Sequence, residues 1–364
     1  MKKPLLRSAL LIVLLLFVVA CSKNDDSDNP EDTPIGLTSA DYTPDGYFDG
    51  VLYYQITSAD NHEAEISKCK SSVKEVQVPD NIIIDREKYV ISALGAKAFY
   101  ACSALTSVEI PNGVTSIGRQ AFYGCSALTS VEIPNGVTSI GDCAFSDCSN
   151  LVTVIIPKSV TSIGDCAFSG CSHLASAKIP NSVTSIGDEA FSGCSSLTSI
   201  TIPNSVKRIG EDAFSSCSGL TYVTIGNSVS VIGDCAFENC TSLTSVTTGN
   251  SVTSIGWYAF SGCSALTSVL IGNSVSVIGD YAFNGCSSLT SITFPSNVAS
   301  IGDCAFKGCD LSKVISKNVN PHDISTSAFN QETFLNATLY VPEGTVDQYK
   351  AKDGWKEFRL ITDH

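Results

Sequence analysis

Sixteen cysteines, a file of carboxylates at fixed spacing and four histidines are the groups in this 364-residue chain with chemistry to offer. Ten of the cysteines recur every 23 residues: Cys102, Cys125, Cys148, Cys171, Cys194, Cys217, Cys240, Cys263, Cys286 and Cys309, each three positions after a phenylalanine. Thiols can pair, hold a metal or attack a substrate. A ladder this regular is better suited to packing, where free cysteine behaves as a small hydrophobe. Cys143, Cys166, Cys235 and Cys304 stand two before a phenylalanine, in a column that elsewhere holds Gln120, Glu189, Asp212, Tyr258 and Tyr281. That variability marks a solvent-facing position. Neighbouring strands bring Cα atoms about 5 Å apart, within disulfide reach, so a Cys143–Cys166 bridge is expected in oxidised protein, with two exposed thiols as the alternative.

Asp142, Asp165, Asp188, Glu211, Asp234, Asp280 and Asp303 form an acidic column one residue after a recurring glycine. Calcium needs six or more oxygens and the pattern offers one carboxylate per repeat, so N-capping of the short turn that follows is expected instead of metal binding. His62, His173, His322 and His364 fall in separate segments, and His62-Glu63 lacks the second histidine of a zinc-protease helix. No nucleophile elbow and no phosphate-cradling glycine loop occurs. These patterns predict no enzyme, no cofactor and no metal.

What positions these groups is a repeat. Phe99, Phe122, Phe145, Phe168, Phe191, Phe214, Phe237, Phe260, Phe283 and Phe306 stand 23 residues apart, and Phe329 keeps the step. Such a period means one supersecondary unit stacked many times, each touching its neighbours. In the unit 128–148, Leu128, Val131 and Ile133 alternate as one strand face, Pro134-Asn135-Gly136 is turn chemistry, and Gly141 precedes Asp-Cys-Ala-Phe. The glycine recurs in ten copies from Gly95 to Gly302, which calls for positive φ or a backbone approach that a Cβ would block. Alanine before every phenylalanine implies a tight interior spot.

The motif Leu-x-x-Val-x-Ile, then proline, then a phenylalanine–cysteine turn resembles the BspA-like class of leucine-rich repeat over roughly residues 91–314. The ladder cysteines occupy the asparagine-or-cysteine position of such repeats. The resemblance implies a right-handed leucine-rich-repeat solenoid of about eleven 23-residue rungs, mostly β with short turns or 3-10 segments. Residues 37–90, with Phe48 to Ile56 and Val76-Gln77-Val78-Pro79, resemble degenerate N-terminal capping rungs. Residues 315–364, with Ala337 to Pro342, Asp347 to Lys350 and Trp355, resemble a last rung and a C-terminal strand–helix cap. Thr248, where isoleucine is expected, and the slipped phase at Asp310-Leu311 mark weaker rungs.

The leader reads as an address. Lys2, Lys3 and Arg7 precede an apolar run, Ala9 to Ala20, too short to span a bilayer and suited to a secretory signal over residues 1–20. Val18-Val19-Ala20-Cys21 resembles a bacterial lipobox, which implies lipidation at Cys21. Ser22-Lys23-Asn24-Asp25-Asp26 resembles the acidic tag that carries Bacteroidetes lipoproteins to the outer face of the outer membrane. Residues 21–36 are acidic and poor in apolar groups, as a flexible tether should be. The formal charge of −14 becomes three units more negative without the leader, which repels nucleic acid and anionic membrane; contact with the membrane is expected through the lipid alone.

The strand positions that face solvent hold mostly serine, threonine and glutamate, the makings of a solvated sheet face. Departures from the repeat are where function is written. Trp257, Tyr258 and Tyr281 cluster on two adjacent rungs, Tyr100 and Tyr123 pair one residue after the phenylalanine, and Tyr222 replaces a serine on a strand. Exposed aromatics in patches suit partner or sugar contact, and repeat drift without function is the other reading, since single exposed aromatics need no explanation. The expectation is a monomeric binding module presenting a rigid face to a protein. The BspA-like resemblance implies adhesion to host matrix proteins or other bacteria; capture of glycans for a nutrient-uptake system is the alternative.

Overall fold

The computed structural model describes residues 35–364. Cys21, the leader and residues up to 34 lie outside the described residues. The rest is a mostly-β solenoid in which each rung has three sides. One side is a strand such as Ser130–Glu132, whose pattern of exposed, buried, exposed follows directly from the alternation Ser-Val-Glu. Thirteen strands fill this long-strand column, from Glu75–Gln77 to Leu360–Asp363. Pro134 then turns the chain, its carbonyl accepting the Val137 N–H at 3.1 Å. The second side is a two-residue strand, Ser139–Ile140 in this rung, and nine such strands pair in parallel from Ser116–Ile117 to Ser300–Ile301.

The third side is a double turn. Ala144 N–H bonds the Gly141 carbonyl, and Ser146 N–H bonds that of Cys143, each at 3.1 Å. Its remaining donors reach the next rung: Cys143 N–H to the Asp165 carbonyl at 2.7 Å and Phe145 N–H to that of Ala167 at 2.8 Å. Backbone groups left over by one rung are therefore satisfied by its neighbour, as an interior without water requires.

Stacking explains the invariant residues. The phenylalanines form one continuous interior row. Phe145 and Phe168 lie 5.3 Å apart and Phe168 and Phe191 5.2 Å, near parallel, and the row runs from Phe99 to Phe329. The recurring glycine is explained by close approach and not by positive φ: a Cβ on Gly141 would sit 2.7 Å from the Arg119 nitrogen and the Gly118 carbonyl carbon of the preceding rung. Thr248 is buried, and its hydroxyl accepts the Gly272 N–H at 2.8 Å, so this substitution keeps a partner. At Asp310-Leu311 the slip is real: Ser291 pairs with Lys313, an offset of 22.

The ends differ from the rungs. Gly46–Phe48, Leu52–Ser58 and Glu63–Cys69 form an antiparallel meander, and Glu63–Cys69 then pairs in parallel with Glu87–Leu94, which leads the short-strand column. Phe48 to Ile56 thus belong to hairpins and not to rungs. Glu75–Gln77 does join the long-strand column, beside Ser107–Glu109. At the other end Thr338–Val341 and Leu360–Asp363 continue that column, joined by the helix Val346–Lys350. Trp355 and Phe358 close the core against Phe329 and Phe294. No helix among the described residues is long and apolar enough to cross a membrane.

Candidate functional site

The ladder cysteines are buried, and from Cys125 onward each thiol donates to the carbonyl of the phenylalanine one rung back, as from Cys125 to Phe99 at 3.0 Å and from Cys217 to Phe191 at 3.2 Å; Cys102, on the first rung, meets the Cys69 carbonyl at 4.0 Å instead. Burial pushes the thiols of Cys171, Cys217 and Cys263 up to about 12, and those of Cys148, Cys194 and Cys240 well above the ordinary range. A thiol that stays protonated is neither nucleophile nor metal ligand. Their role is to satisfy a carbonyl inside the turn.

The acidic column does not cap its own turn. Asp142 Oδ1 accepts the Asp165 N–H at 3.2 Å, Asp165 that of Asp188 at 2.9 Å, and Asp188 that of Glu211 at 2.8 Å. The expectation of N-capping is corrected: these three carboxylates, and likewise Asp234 and Asp280, bracket the same position one rung on. Parallel register makes that N–H nearer than the donors of the carboxylate's own turn.

The column two before the phenylalanine carries the candidate surface. Every residue in it has a left-handed backbone, from Lys97 at φ 64° through Gln120 at 57° and Cys143 at 51° to Cys304 at 54°. Non-glycine residues avoid this region unless the surroundings impose it. Here the bonds to the next rung impose it, and the side chains are turned outward as a result.

Within that column Cys143 and Cys166 are neighbours. The structure has them as free thiols, half-buried and in contact, with burial foremost and the Cys143 thiol beside it pushing Cys166 up to about 12. Three rungs on, ligand atoms of Asp212, Cys235 and Glu238 converge within 4.8 Å of one another. Burial and the charges of Asp212, Glu238, Asp234 and Glu211 push the Cys235 thiol to about 12. Reading the sequence column by column missed this group, because Glu238 belongs to a different column; the signal was a lone glutamate where neighbouring rungs carry Ser215 and Ser261.

The next two positions of the column are Tyr258 and Tyr281, whose rings stack at 4.6 Å and 1°. Trp257 is 59% exposed, with its backbone N–H donating to Asp234 Oδ1 at 2.8 Å and its ring over Gly279. Tyr100 and Tyr123 stack separately at 5.2 Å, with Lys97 Nζ 5.4 Å from the Tyr100 ring. Tyr222 is exposed on the long-strand face, away from both pairs, as are Ile155 and Leu270. A shallow recess on that face is lined by Glu109, Glu132, Thr153 and Ile155. The histidines are brought to none of these places: His173 Nδ1 lies 2.7 Å from the Ser149 carbonyl, His62 3.5 Å from Glu87, and His364 Nδ1 3.0 Å from the Val341 carbonyl.

Comparison with curated proteins found no match. Among solved structures, the chain is similar to a leucine-rich repeat protein from Bacteroides ovatus, with 26% identity over 87% of this chain and 99% of that one and a TM-score of 0.50. A leucine rich cell surface protein from Faecalibacterium prausnitzii is 30% identical over 88% of this chain and 95% of its own, with a TM-score of 0.48. A leucine-rich repeat protein from T. pallidum is 31% identical over 54% of this chain and 90% of its own, with a TM-score of 0.49. The family model for the BspA type leucine rich repeat region, with six copies, matches residues 92–221 and 209–336. Together with the 23-residue rungs and their phenylalanine–cysteine turns, this shows that the chain belongs to the BspA-type leucine-rich repeat family.

Proposed function

We propose that this chain is a cell-surface binding protein that presents its repeat scaffold to host proteins or to other bacteria, held to the outer membrane by lipid at Cys21. The observation that supports this most is the contrast within each turn: the interior is constant, while the outward column varies freely and gathers stacked aromatics at Tyr258 and Tyr281 beside exposed Trp257. Aromatic side chains give large contact area at low entropic cost, and patches of them mark binding surfaces. Solenoids of stacked rungs serve typically as binding scaffolds and not as catalysts.

A second reading, a surface glycan-binding lipoprotein of a nutrient-uptake system, is favoured by the flat, parallel Tyr258–Tyr281 pair, which offers a face for sugar rings. The test is a panel of immobilised host matrix proteins and neutral oligosaccharides, probed with the full chain and with its Trp257→Ala/Tyr258→Ala variant. Capture by matrix proteins supports the first reading. Capture by oligosaccharides alone, lost in the variant, replaces it with the second. Capture by neither removes both.

A further inference from the structure

The outward turn column carries two unlike blocks side by side. Asp212, Cys235, Tyr258 and Tyr281 occupy consecutive rungs, and their backbone N–H groups are fixed by carbonyls of the following rung, at 2.9 Å for Asp212, 2.7 Å for Cys235, 2.9 Å for Tyr258 and 2.8 Å for Tyr281. The order of these side chains along the stack is therefore set by the scaffold. Around Cys235 the first block gathers Asp212 and Glu238, with Glu211 and Asp234 close behind. Among the described residues no lysine, arginine or histidine forms an ion pair with any of these four; the nearest such contact along the stack is Arg208 with Asp188 at 3.6 Å. Burial, then the Asp212 charge, holds Glu238 above the usual carboxylate range against a hydrogen bond from the Cys235 side chain, so no cation among the described residues offsets this cluster. The second block is the stacked tyrosine pair and Trp257.

We infer that this aromatic face docks an extended protein segment that carries arginine against Asp212 and Glu238 and an aromatic or aliphatic side chain against Tyr258 and Tyr281. The inference rests on the binding reading above and names the chemistry of the partner. Arginine fits better than lysine, because its planar fork can reach two carboxylates at once and also lie against an aromatic ring. Adjacent rungs are about 5 Å apart, as the interior phenylalanine rings show. Same-face side chains of an extended segment come about 7 Å apart, close enough for flexible side chains to span both blocks. Negative charge beside an aromatic patch also selects against acidic partners and speeds the encounter with basic ones.

The experiment uses the full chain and three labelled probes in fluorescence anisotropy: Arg-Ser-Arg-Ser-Trp-Ser-Trp, the same peptide with glutamate for arginine, and a neutral maltooligosaccharide. The arginine peptide is expected to bind at least tenfold more tightly than the glutamate peptide, with salt weakening it. Asp212→Asn with Glu238→Gln should cut that affinity about tenfold and Tyr258→Ala with Tyr281→Ala several-fold, both without a change in circular dichroism. Equal binding of the two peptides overturns the inference, as does indifference to the carboxylate pair. Binding of the oligosaccharide alone also overturns it. If matrix proteins are captured while the peptides show no charge preference, this inference falls and the wider reading stands.

Discussion

Phe191 and Glu189 sit two residues apart on one turn, and the stack treats them in opposite ways. Phe191 is fully buried between Phe168 and Phe214, at 5.2 and 5.4 Å, and its counterpart is a phenylalanine in every rung from Phe99 to Phe329. Glu189 stands in a left-handed backbone at φ 56°, a conformation that favours glycine, yet none of the ten positions in its column is glycine. The interior row accepts one side chain because each ring must fill the space between two others. The outward column accepts lysine, glutamine, cysteine, glutamate, aspartate and tyrosine, because its shape is dictated by hydrogen bonds to the next rung and not by its own preference. Uniformity inside is what permits variety outside.

The sharpest way to break this comparison uses the cysteines, which occur in both regions. Burial pushes the thiols of Cys171, Cys217 and Cys263 up to about 12 and those of Cys148, Cys194 and Cys240 well above the ordinary range, whereas an unfolded chain ionises near 9. Below about pH 9 they are protonated in both states and their contribution to stability is intact. As pH rises from about 9 towards 12 the unfolded state loses protons that the folded state keeps, and each such thiol removes about 1.4 kcal/mol of stability per pH unit. With at least six thiols acting together, the melting temperature should collapse over that window. A flat melting temperature to about pH 11 would show that the ladder is not buried as described.

Next in size is Phe191→Ala, expected to cost about 3–5 kcal/mol in urea unfolding, because the cavity is walled by two rings that cannot close on it. A cost near 1 kcal/mol would mean that the row repacks freely. The smallest effect is the most discriminating. Gln120→Gly should be neutral or stabilise by up to about 1 kcal/mol, because relief of left-handed strain is offset by extra freedom in the unfolded chain. A loss above about 1 kcal/mol would show that the outward column is held by its side chains after all.

The interior was legible from spacing alone. The period placed Phe145, Phe168 and Phe191 in one row and the ladder cysteines beneath them, since both are properties of a single rung repeated. What spacing could not reveal lies between rungs. Asp165 bonds the N–H of Asp188 because parallel register sets them together, a distance the chain does not encode locally. Asp212, Cys235 and Glu238 meet by combining a step of 23 with a step of three, which reading one column at a time does not detect. The meander from Gly46 to Cys69 escaped for another reason: alternation marks a strand without giving its direction, and Leu52–Ser58 pairs antiparallel where rungs pair in parallel.

The bonds that join rungs repeat with the same partners at the same offset: Phe122 to Ala144, Phe145 to Ala167, Phe168 to Ala190. Any one junction in the middle of the stack is thus interchangeable with the next. Recombination within so repetitive a coding sequence, deleting or inserting one whole period, would rejoin matching surfaces and leave the reading phase of every column undisturbed. Length, and with it the number of outward positions open to selection, becomes a trait that can change in single genetic steps without passing through a misfolded ancestor.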